Sequence, residues 1–138
     1  MITVAIIGVL AAIAVPQFTE MQLKAKRAEL PGNVDGIRTS EIIYDATFDT
    51  FLELPVMPRD DASLDKKMIP WVVSDPNWDL VGWEPDGEVR GNYMVTLLSP
   101  IKFSVVGRSD CDDDDALAEY TASENTTATI TEIRSKLY

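Results

Sequence analysis

The densest chemistry in the chain lies at Asp110-Cys111-Asp112-Asp113-Asp114-Asp115, where five carboxylates fall within six residues. Asp110, Asp112 and Asp114 have the one, three, five spacing of an oxygen-ligand loop, which points to calcium. Against that, Asp115 stands where such a loop wants its turn glycine, and Glu119 falls two positions short of the usual bidentate glutamate. The alternative is a solvated acidic turn, and the spacing leaves both open. Asn125-Thr126-Thr127 fits the N-glycosylation acceptor pattern at Asn125, and the same hydroxyl-rich stretch suits a Thr-rich edge strand. Trp71, Trp78 and Trp83 offer a stacking platform or, more simply, anchors against the core, since no basic residues interleave with them.

Catalysis has little support. The chain has no histidine, which removes the usual general base and the commonest metal ligand. No phosphate-binding glycine loop, zinc spacing or nucleophile elbow occurs, so no catalytic residue and no cofactor are expected. Cys111 is the only cysteine, and no intrachain disulfide can form.

The elements that must position these residues fall into two parts. Residues 1–16, MITVAIIGVLAAIAVP, carry no charged side chain, and Thr3 is their only polar one. Such a run is long for a strand, and Leu10, Ala11, Ala12 and Ala14 favour helix. At 1.5 Å per residue the stretch Met1 to Val15 spans about 22 Å, short of the roughly 30 Å of a bilayer core. From 17 to 52 the pattern becomes amphipathic: Phe18, Met21, Ala25 and Ala28 mark a helix leaving the apolar environment, and Val34, Ile37, Tyr44, Phe48 and Phe51 then form an apolar stripe that should face a sheet. Glu20 and Lys24 make a favourable i,i+4 pair. Bends are expected near Pro16 and Pro31, because proline removes a backbone bond and crowds the carbonyl four residues back.

Residues 53–138 form the head. Pro55, Pro58, Pro70 and Pro76 mark 53–77 as a surface loop, after which the apolar period changes to two. Strand candidates are 78–83, 89–98, 101–106 and 116–122, with Ser99-Pro100 as a hairpin turn. The fold class is therefore α+β: a long N-terminal helix packed on an antiparallel sheet of about four strands. Charge is lopsided, with net −1 over residues 1–48 and −10 over the rest, which disfavours nucleic-acid binding by the bulk surface.

The stretch from Met1 to Pro16 resembles the N-terminal motif of type IV pilins and pseudopilins. There a mature chain beginning Phe-Thr-Leu-Ile-Glu-Leu continues into an apolar run with Gly8 and Pro16 in their places. Relative to that motif the first six residues, including a glutamate two positions before Met1, are missing, and the chain reads as truncated. The stretches ELPGNVDGIRTSEIIYDATFDTF and GWEPDGEVRG also resemble one group of bacterial pilins. The resemblance implies a subunit of an extracellular filament, drawn from an inner-membrane pool by a pilus assembly machinery. In the helical homo-polymer Ile2, Ile6, Ile7, Gly8, Val9, Leu10, Ala11, Ala12, Ile13, Ala14, Val15 and Pro16 pack in the core. It also implies that the backbone between Gly8 and Pro16 extends on assembly. The alternatives are a pseudopilin or minor pilin of a secretion system and a singly anchored periplasmic binding domain.

Overall fold

The computed structural model describes residues 1–113 and 116–133. Helix α1 (Ile2–Arg27) and helix α2 (Glu29–Phe48) meet at Ala28. The remaining elements are β1 (Leu54–Met57), a 3-10 turn (Asp61–Ser63), α3 (Pro76–Val81), β2 (Asn92–Ser99), β3 (Lys102–Ser109), β4 (Ala118–Ser123) and β5 (Thr126–Ile133).

The helix runs unbroken across Gly8 and Pro16. Pro16 leaves the carbonyl of Ala12 without its usual donor, while the Thr19 hydroxyl donates to the Val15 carbonyl at 2.8 Å and the Pro16 carbonyl at 3.2 Å. The interruption expected at Pro31 falls three residues earlier, at Ala28. Pro31 has no N–H for the carbonyl of Arg27, so the turn that would join the two helices lacks a bond. α2 ends where Asp49 takes a left-handed conformation, its amide donating to the Asp45 carbonyl.

Leu30, Val34, Ile37 and Glu41 make the buried stripe of α2, at steps of four, three and four. Phe48, read as part of that stripe, is exposed at the last residue of α2, its ring tilted against Tyr44 at 4.6 Å. Val34 sits against β3 where Gly107 leaves room; a Cβ there would lie 2.6 Å from the Val34 methyl. The core joins this stripe to Tyr93, Val95, Phe103, Val105 and Trp78.

The fold class is α+β, with five strands rather than about four, all antiparallel in the order β1-β2-β3-β4-β5. The additional strand, β1, lies inside the stretch read as a loop, and its Leu54 and Met57 pair with Val95 and Tyr93. Residues 78–83 are not a strand: Trp78 to Val81 belong to α3. Asp75 caps that helix by accepting from the Asn77 amide at 2.9 Å, Pro76 opens it, and Gly82 closes it at φ +68°. The Ser99-Pro100 turn does join β2 to β3, with Ser99 opposite Lys102. The Thr-rich stretch forms the edge strand β5.

α2 is also tied to the sheet by polar contacts. Asp35 accepts from the Ala128 amide of β5 at 2.7 Å, and the Arg38 guanidinium donates to the carbonyls of Ser123 and Glu124. At the junction of the two helices Glu29 accepts from the Arg90 amide at 3.0 Å and pairs with its guanidinium at 3.6 Å.

Candidate functional site: an uncovered apolar helix

α1 buries none of its residues. Every residue from Ile2 to Pro16 is exposed, with the large side chains ranging from 55% at Ile6 to 78% at Ile2. The apolar residues lie on all sides of the helix rather than along one stripe, as they do where a helix is surrounded by apolar material. Monomeric proteins rarely expose contiguous apolar surface on this scale. The uncharged part of α1, Ile2 to Thr19, rises about 27 Å, close to the roughly 30 Å of a bilayer's hydrocarbon. The helical segment from Ile2 is long and apolar enough to cross a membrane. Lys24, Lys26 and Arg27 follow at the end of α1, before the acidic head.

Gly8, Ala11, Ala12 and Ala14 interrupt the large side chains. They would let another helix backbone approach closely, and a Cβ on Gly8 would meet nothing within 4 Å in the single chain.

Asp110 is buried, and its Oδ1 accepts from the amides of Asp112 at 3.3 Å and Asp113 at 2.6 Å. That oxygen therefore caps its own turn, where Asp113 takes a positive φ of 68°. Asp113 itself is exposed and pairs with Lys66 at 3.2 Å. Asp114 and Asp115 lie outside the described residues. Among the described residues no three carboxylate, cysteine or histidine side chains converge as a metal site. Cys111, within this turn, is buried against Ser109, and burial pushes its thiol pKa up, away from the reactive thiolate.

Asn125 is exposed at the turn between β4 and β5, its amide donating to Glu124. The three tryptophans come together. Trp71 meets Trp78 edge-on at 5.1 Å and Trp83 edge-on at 5.3 Å, and Trp83 lies 5.7 Å from Tyr93. Trp78 is fully buried with its indole N–H on the Pro55 carbonyl. These contacts turn the rings upon one another, so they serve the core.

Sequence reasoning missed Glu41. It is fully buried in α2; Oε2 accepts from the Leu52 amide at 3.0 Å, and Oε1 has no partner. Burial raises its pKa to about 7, only partly offset by that one amide. Its position four residues after Ile37 was the available signal.

No family model, no curated protein and no solved structure matches the chain significantly.

Proposed function

We propose that the chain is a structural subunit of the type IV pilin kind, which polymerises through α1 into an extracellular filament. The observation that carries this reading is the fully exposed apolar helix joined to a folded acidic head. Apolar surface of that extent is stable only where lipid or other protein replaces water. In the proposed cycle α1 first lies in the inner membrane and then transfers into a bundle of equivalent helices, guided by the assembly machinery. The resemblance of residues 1–16 to the pilin motif supports the second environment, as do the small residues that permit close helix approach. Filament growth follows physically when one face of a subunit meets a different face of the next and the rotation does not close a ring.

The same motif occurs in pseudopilins and minor pilins, which form short fibres, and a simple anchor would use the same apolar helix. Replacing Leu10 with Asp separates these readings from a packed core. A carboxylate among packed apolar helices is neither hydrated nor paired, so Leu10→Asp should abolish assembly while the head, which Leu10 does not touch, keeps its fold. Electron microscopy of the surface-sheared fraction reads the first effect and circular dichroism the second. Normal fibres from the variant would overturn the proposal.

A further inference from the structure

The chain reverses direction between α2 and β1 through residues 49–53, and Leu52 in that connection is held to the middle of α2 by the Glu41 side chain. The fastening is unusual in its chemistry. A carboxyl group with no exposed surface makes one bond, to the Leu52 amide, and its other oxygen is buried without a partner among the described residues. A neutral carboxyl tolerates that setting far better than a carboxylate, because an unpaired charge in the interior cannot recover its hydration.

Among the described residues no charged group pairs with it. On α2 the Arg38 guanidinium is committed to the Ser123 and Glu124 carbonyls, and Tyr44 and Asp45 bring no positive charge. Asp49 and Glu53 flank Leu52 within the connection, and Asp79 lies on α3. β3 carries Lys102, exposed near the hairpin turn, and Arg108, which is tied to Asp61 and Glu119. β4 adds Glu119 and Tyr120, and the described side chains of β5 are not ionisable. Glu41 forms no ion pair with any of them, and burial and the Leu52 amide alone set its proton affinity.

From this geometry we infer that Glu41 is a proton-operated latch: protonated, it fastens the α2–β1 connection to α2, and on ionisation it favours release of that connection. In the closed state the neutral group accepts from Leu52. Raising the pH through about 7 ionises it, and the charge then favours an open state in which the connection lifts and water reaches the carboxylate. Phe51, its ring tilted 52° at 4.6 Å from Phe103, and Leu52 both pack against the core, and this opening must break those contacts. The inference does not depend on filament formation.

Amide hydrogen exchange of the chain in detergent micelles tests it. Corrected for intrinsic exchange, the opening constant at Leu52 should rise roughly tenfold or more between pH 5.5 and 8.5, since the open-state carboxyl titrates near its ordinary value. Val105, in the core of β3, should stay far better protected than Leu52 at both pH values, because it exchanges only on global unfolding. Glu41→Gln should leave Leu52 exchange flat across that range. A second reading needs no variant: the Glu41 carboxyl carbon resonance of the native chain should titrate with a midpoint near 7. A midpoint near 4.5, or the same Leu52 pH dependence in both chains, would overturn the latch.

Discussion

At position 41 the helix period calls for an apolar side chain, and the sequence supplies a carboxylate. The buried stripe 30, 34, 37, 41 is regular, yet a stripe read from apolar residues alone passes over Glu41. Its effect on stability has a definite sign. The folded-state pKa of about 7 lies above the ordinary 4.5, so the native state holds the proton more tightly than the unfolded chain does. The corresponding stability is fully present below pH 4.5 and is lost as pH rises through about 7. Melting temperatures of native protein and Glu41→Gln should therefore diverge in favour of the variant on going from pH 5 to pH 8. Parallel profiles would remove the assignment. The acidic turn gives the opposite lesson: its composition is conspicuous in the sequence, but Asp110 spends one oxygen on the amides of its own loop. Millimolar calcium is expected to leave the melting temperature unchanged. A calcium-dependent rise that Asp112→Asn removes would instead establish a calcium-binding loop.

At the level of elements, legibility followed the strength of the local signal. α1 could be read because a long uncharged run has few other solutions, and the β2–β3 hairpin because its alternation and its Ser99-Pro100 turn agree. α3 was misread as a strand although its ends are marked: Asp75 before Pro76 at one end and Gly82 at the other. With only six residues it shows too little of a 3.6 period to compete with the apolar–polar–apolar step Trp78-Asp79-Leu80 within it. β1 escaped notice because Pro55 lies within it and Pro58 directly follows it, which suits an edge strand and hides it. The weak point of α1 lies between Gly8 and Pro16. Relative to alanine, glycine in a helix interior costs about 1 kcal/mol and proline about 3 kcal/mol. Gly8→Ala with Pro16→Ala should slow amide exchange from Val9 to Gln17 in micelles, and in assembled fibres it should resist the local extension expected there. Unchanged exchange would mean that packing or lipid, rather than these two residues, sets the stability of the segment.

The whole molecule divides into an apolar helix that the head leaves uncovered and an acidic head with its own core. Net repulsion among heads of this charge opposes close association, so cohesion between copies has to come from α1. Raising the salt concentration would screen the former and strengthen the latter. The sequence announces this division through composition alone. Which side chains of the head meet in space depends on strand register and helix ends, which local patterns specify only in part. A filament of the proposed kind requires the α1 segments of many copies to pack together. Cryo-electron microscopy of the surface-sheared fraction from cells making the chain tests it most directly. The expected result is a helical fibre in which residues 2–23 of neighbouring copies line the axis and the β-sheets face outward. Recovery of the chain only in membranes, as single copies with α1 surrounded by lipid and no fibre present, would contradict it.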